Sequence, residues 1–125
     1  MERLRQFTRQ NYINLETFRK NGIGVKTPVW FAQDEGSLYV TTFPESGKVK
    51  RIRRNQKVNI APCRANGFVT GEWVAALAVE VLNDQVRQKA DRLLDRKYGL
   101  LKMLLDYRRR RKGEANTILE IKLLE

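Results

Sequence analysis

The stretch "SGKVKRIRRN", Ser46 to Asn55, packs a hydroxyl, a glycine and five cations into one short segment. Its spacing predicts a helix over Lys48 to Asn55, opened by the Ser46-Gly47 pair. At a helix start the backbone N–H groups lack intrahelical partners and the dipole is positive, so an anion is favoured before any side chain is counted. Ser46 adds a hydroxyl donor and Lys48 a charge. Arg51, one turn on, reaches the same side, whereas Arg53 and Arg54 face water. The chemistry indicated is capture of a phosphate. A serine cap on a solvated helix fits the same residues, and the motif alone does not choose between the two.

Other chemistry is narrowed by composition. The 125 residues contain no histidine, which removes histidine triads, histidine general bases and histidine metal sites. The one cysteine, Cys63 in "NIAPC", reads as a small buried hydrophobe and can close no intrachain disulfide. No catalytic side chain and no metal site is singled out. If the chain is an enzyme, a bound cofactor carries the reaction. The net charge of +11 is concentrated in two places, Lys48 to Arg54 and "RRRRK" at Arg108 to Lys112, and without their ten cations it falls to +1.

The elements that must position these residues follow from periodicity. "YINLETFR", 12 to 19, alternates as a strand and runs into Asn21-Gly22, a tight-turn signal because both residues tolerate positive φ. A second strand is expected over 24 to 33 and a third over "SLYVTTF", with Leu38, Val40 and Thr42 on one face and Tyr39, Thr41 and Phe43 on the other. These read as three sequential antiparallel strands. In the basic helix Val49 and Ile52 turn inward. "KVNIAPCR" gives a fourth strand and residues 72 to 82 a fifth, whose alanines at 75, 76 and 78 allow close approach of another backbone or subunit. Asp84 is the expected N-cap of a helix striped by Val86, Ala90, Leu93 and Leu94. Gly99 interrupts it, residues 100 to 111 form a second, very apolar helix, and "NTILEIKLLE" closes the chain as a sixth strand. The pattern predicts one domain over 1–125, a mainly β antiparallel barrel with helices packed at one end.

On those residues the chain resembles a known family. The order strand, threonine, polar loop, "SGK", basic helix, asparagine, strand looks like the flavin phosphate-binding segment of the pyridoxamine-phosphate-oxidase-like split barrels. "LETFRKNGIGVKTPVWFAQDEGSLYV" and "GKVKRIRRNQKVNIAPCRANGFVTGEW" are similar to the branch that uses the deazaflavin coenzyme F-420, over residues 11 to 83. The resemblance implies a six-stranded antiparallel split β-barrel that forms a homodimer, with FMN or F-420 sites along the subunit interface. By position it lays Thr27, Pro28, Val29 and Trp30 beside the cofactor ring, Thr41 and Thr42 by the ribityl chain and phosphate, and Ser46, Gly47, Lys48 and Arg51 on the phosphate. Trp73 is a candidate for completing the pocket from the partner subunit. Both tryptophans also fit plain packing roles.

The implied activity is hydride transfer between that cofactor and a small molecule whose identity the residues do not reveal. Authentic pyridoxamine-phosphate oxidase carries a C-terminal Arg-x-His substrate motif, which this chain lacks, so vitamin B6 oxidation is not expected. Extra cations at Lys50, Arg51, Arg53 and Arg54 favour the longer, polyanionic deazaflavin over FMN, although solvated charge explains them too. A non-catalytic flavin or haem carrier is the alternative reading. A basic nucleic-acid module is a further one, weakened because "RRRRK" ends an apolar helix, where cations complement the dipole, and no aromatics interleave with the basic residues. No membrane span or secretory signal is read, so a cytoplasmic protein without membrane partners is expected.

Overall fold

A computed structural model describes residues 2–111 and 116–124. After a short helix α1 (Glu2–Arg5) come strands β1 (Tyr12–Phe18), β2 (Gly24–Val29), β3 (Ala32–Asp34) and β4 (Ser37–Thr42). Helix α2 (Gly47–Arg54), strands β5 (Lys57–Cys63) and β6 (Val74–Glu80), helices α3 (Asp84–Tyr98) and α4 (Leu100–Arg111) and strand β7 (Thr117–Leu123) follow. All strands join one antiparallel sheet in the order β2-β1-β5-β6-β7-β4-β3.

There are seven strands where six were expected, because the segment 24–33 is two strands. Its halves lie at opposite edges of the sheet: β2 pairs with β1 and β3 pairs with β4. Only Trp30 and Phe31 separate them, a stretch that spans roughly 10 Å at most, so the sheet must curl until its edges nearly meet. The break has a cause in the side chains around it. The Tyr98 hydroxyl accepts the Phe31 N–H at 2.9 Å and lies 2.7 and 2.8 Å from the carbonyls of Asn11 and Phe31. Lys97 Nζ donates to the same Phe31 carbonyl at 2.7 Å. Trp30 stacks on the Tyr98 ring with centroids 4.5 Å apart, and Phe31 is fully buried against Phe7. The backbone groups of Phe31 are therefore satisfied by α3 and not by a neighbouring strand.

Local expectations meet the structure unevenly. The β1–β2 hairpin turns at Asn21-Gly22, with Gly22 at φ +86°, and β4 follows β3 through a second turn. β2 and β4 do not pair, so the three-strand meander is two hairpins. Val49 and Ile52 of α2 are buried in the barrel core with Leu15, Val40, Ile60 and Leu119. Each such side chain contributes about 1.5–3 kcal/mol of burial. The three alanines divide: Ala76 and Ala78 point into that core and Ala75 points out. A second cluster, formed by Ala32, Tyr39, Ile118, Ala90 and Leu94, fixes α3 on the outer face of β4 and β7. The N-cap of α3 is Asn83, whose Oδ1 accepts the Val86 N–H at 3.0 Å, and Asp84 takes the first turn. Gly99, at φ +64°, ends α3 as expected.

Candidate functional site

Where β2 reaches the Trp30 break, a cleft of about 280 Å³ opens. Thr27, Pro28, Val29 and Trp30 form one wall and Thr41, Thr42 and Phe43 another. Lys48 enters from α2, Tyr12 from β1, and Lys102, Leu105 and Asp106 from α4. β2 is an edge strand, so alternate residues turn their N–H and C=O groups away from β1. Pro28 is tolerated there because it opposes only one neighbour, Asn14 of β1. Thr41 Oγ1 is shielded from water and has no hydrogen-bond partner within the described residues. A hydroxyl left in that state costs roughly 1–3 kcal/mol, which a polar ligand would recover.

The phosphate end is built at the start of α2. Ser46 caps the helix, its Oγ 3.5 Å from both the Val49 N–H and Thr42 Oγ1. Lys48 Nζ lies 3.4 Å from Thr42 Oγ1. Arg51 Nε donates to Thr17 Oγ1 at 2.6 Å, and its guanidinium folds back over the first turn. Gly47 permits this approach: a Cβ there would stand 2.7 Å from Arg51 Nη1. Burial, then the charge of Arg51, pushes the Lys48 ammonium below its ordinary range. Arg51 is likewise lowered by burial and by Arg19 and Arg54, yet a guanidinium stays charged at any physiological pH.

The five cations of α2 therefore differ in role. Arg53 is paired with Glu80 at 2.8 Å and Lys50 with Glu45 at 3.7 Å. Arg54 donates to the Phe18 carbonyl at 3.2 Å. Lys48 and Arg51 make no ion pair among the described residues, so the corner where they meet carries uncompensated positive charge.

The cleft thus gathers Thr27, Pro28, Val29, Trp30, Thr41, Thr42 and Lys48, with Ser46, Gly47 and Arg51 at its α2 end. Trp73, expected from a partner subunit, lies outside this chain's own cleft. It precedes β6, partly exposed, with Lys26 Nζ 5.1 Å from its ring centre. Trp30 lines the cleft but spends one ring face on Tyr98. Cys63 is buried, and burial pushes its thiol up, away from the reactive thiolate. Lys112 and the side chains of residues 109–111 in the second basic run lie outside the described residues.

Sequence reasoning missed Tyr12, Phe43, Lys102, Leu105 and Asp106. Lys102 is only 1% exposed, and its Nζ donates to Asp91 Oδ1 at 2.8 Å, Asp95 Oδ1 at 2.7 Å and Asp106 Oδ2 at 2.7 Å. Burial pulls this lysine down, but the three carboxylates outweigh it and hold it above the ordinary lysine range. Asn116 Nδ2 donates to the other Asp106 oxygen at 3.0 Å. A signal was present: Asp91 and Asp95 are four residues apart on α3, as are Lys102 and Asp106 on α4, which puts each pair on one helix face.

No family model and no curated protein sequence matches the chain. Solved structures do. HutZ, the haem storage protein of Vibrio cholerae, superposes with a TM-score of 0.75 at 12% identity over 99% of this chain and 89% of its own. A candidate pyridoxamine 5′-phosphate oxidase from Listeria innocua gives 0.70 at 14% over 99% and 92%. An F420 reductase gives 0.62 at 17% over 97% and 92%. At such identities the likeness is one of fold, and with the curled antiparallel sheet and its helices it leads to one conclusion: this chain has the split-barrel fold of the pyridoxamine 5′-phosphate oxidase-like proteins.

Proposed function

We propose that the cleft binds a flavin-type cofactor, FMN or the deazaflavin F-420, and that the protein is an oxidoreductase acting on a small molecule. The observation that carries this reading is the uncompensated pair Lys48 and Arg51 at the capped start of α2, opening into a cleft with an unpartnered threonine hydroxyl. Ser46, the α2 amides, Lys48 and Arg51 hold the phosphate. Thr41 and Thr42 bond the sugar-alcohol chain, and the free edge of β2 from Thr27 to Trp30 orients the ring. When bound, such a cofactor supplies the hydride chemistry. The residues of the chain bind, orient and exclude water, which requires no histidine.

A homodimer in which the partner subunit covers the cleft, with Trp73 as its candidate contribution, completes the proposal. A second reading, a carrier without turnover, draws support from one feature. Among the described residues the cleft's carboxylate and buried lysine, Asp106 and Lys102, are engaged with each other and not free to move protons.

The test is titration of the purified protein with FMN and, separately, F-420, followed by fluorescence and thermal unfolding. A ligand bound only by the folded state raises Tm with concentration. Lys48→Ala should weaken the preferred cofactor about 10- to 100-fold, in line with the roughly 1.5–3 kcal/mol of a hydrogen bond to a charged group. If neither cofactor shifts Tm while DNA or RNA binds with steep salt dependence, the cofactor reading is wrong.

A further inference from the structure

On the β3 side of the Trp30–Phe31 join lies a second cavity of about 280 Å³, which shares no lining residue with the cleft. Three pieces of chain bound it: the turn that follows α1, strand β3, and the last turns of α3. Phe7, Ala32 and Leu93 supply apolar wall, and Arg9, Arg96 and Lys97 supply three cations. No acidic residue is among its described lining. The volume sits at the lower edge of the range for small-molecule sites, roughly 300–1,000 Å³.

The charges in this cavity are unopposed. The acids closest in sequence are engaged elsewhere, Asp34 with Lys89 and Asp91 and Asp95 with Lys102. Neither Arg9 nor Arg96 makes a side-chain hydrogen bond or ion pair among the described residues. The three donors of Lys97 find one acceptor there, the Phe31 carbonyl at 2.7 Å, and its ammonium otherwise lies over the Phe31 ring. Basic residues in the last turn of a helix ordinarily complement its dipole, and Arg96 fits that role. The other two do not. Lys97 sends its ammonium to Phe31, and Arg9 belongs to a separate turn, closed by the Gln10 N–H on the Phe7 carbonyl at 3.2 Å. Arg9 there holds φ +64°, a backbone region that favours glycine and asparagine. An arginine kept at such a position points to a use for its side chain. Guanidinium groups fork onto carboxylate or phosphate oxygens, and an apolar wall beside them takes a carbon body.

We propose that this cavity is a second ligand site, taking a small organic anion whose carboxylate or phosphate is held by Arg9, Arg96 and Lys97 and whose apolar body packs on Phe7, Ala32 and Leu93. The inference stands apart from the cofactor reading, because none of these residues lines the cleft.

The experiment is calorimetric titration of the protein with benzoate and, separately, phenyl phosphate, with benzamide as the neutral counterpart. Saturable binding of at least one anion is expected, with benzamide about tenfold or more weaker, as for loss of hydrogen bonds to charged groups; the preferred anion tells a carboxylate site from a phosphate site. Arg9→Gln with Arg96→Gln should weaken that anion by about tenfold or more and leave Tm in place, since both residues are exposed. Lys48→Ala, at the cleft, should leave it unchanged. Bound anion should also raise the Lys97 midpoint from about 8 in lysine-resolved NMR, because a neighbouring negative charge favours the ammonium. Arg9 and Arg96 stay charged throughout, and burial holds Tyr98 above its ordinary range, so the shift reports the anion. The proposal is overturned by failure of both anions to bind, by benzamide binding as tightly as they do, by loss of binding in Lys48→Ala but not in the arginine variant, or by a Lys97 midpoint that saturation does not move.

Discussion

Lys97 shows how one ammonium can be held in place and still be poorly solvated. Its Nζ donates to the Phe31 carbonyl and stands 3.7 Å from the centre of the Phe31 ring, and burial pushes it down to about 8. Between that value and the ordinary 10.5 the unfolded chain binds more protons at this site than the folded one, so its contribution to stability rises with pH through the window. Isotope-edited NMR of the lysine side chains should find one midpoint near 8, absent in Lys97→Met. Lys102 is the opposite case, a buried cation oversupplied with partners. Lys102→Met would leave Asp91, Asp95 and Asp106 within 4.8 Å of one another with no counter-charge. Breaking a buried pair costs about 3–5 kcal/mol, and because Asp91 and Asp95 remain partly exposed a loss near the lower end, about 3 kcal/mol, is expected in urea unfolding, with partial recovery at acid pH.

The elements divide by where their determinants lie. The β1–β2 turn and the inward pair of α2 were legible because Asn21-Gly22 and the Val49/Ile52 spacing are local signals that the tertiary structure left alone. At the cleft, Ser46, Gly47, Lys48 and Arg51 were legible for the same reason, since loop and helix start are contiguous in sequence, whereas Thr27 to Trp30, Thr41 and Thr42 were indicated by the family resemblance alone. The division of 24–33 into two strands was not legible, because the group that takes the Phe31 amide is a tyrosine hydroxyl 67 residues away. Nor was the exposure of Leu100, Leu101, Met103 and Leu104 on α4, because a leucine-rich helix reads as buried until the Lys102 ion cluster on its other face is known. Tyr98→Phe isolates the break: it keeps the stack on Trp30 and removes the hydroxyl from the Phe31 N–H and carbonyl. A buried amide left unpaired costs roughly 1–3 kcal/mol, and the loss in chemical denaturation should fall in that range, with Trp30 fluorescence altered in the folded state.

Across the whole molecule, the class of architecture could be read from alternation and turns, whereas closure could not. Seven antiparallel strands need a curl to bring β2 and β3 together, and that curl is imposed by a dipeptide and the last turn of α3. Charge is also organised at this scale: of the five cations of α2, Arg53 and Lys50 are paired with carboxylates while Lys48 and Arg51 leave an uncompensated corner at the cleft.

The Trp30–Phe31 join has one more consequence, for the order of assembly. The two hairpins it connects need only short-range contacts, while their union waits for a side chain made much later in the chain, and such distant pairings form slowly. Maturation should therefore proceed through a species with both hairpins formed and the seam open. In pulse-labelled refolding the amides of Thr17 and Val25 should gain protection before that of Phe31; simultaneous protection of all three would show that the seam shuts along with the hairpins.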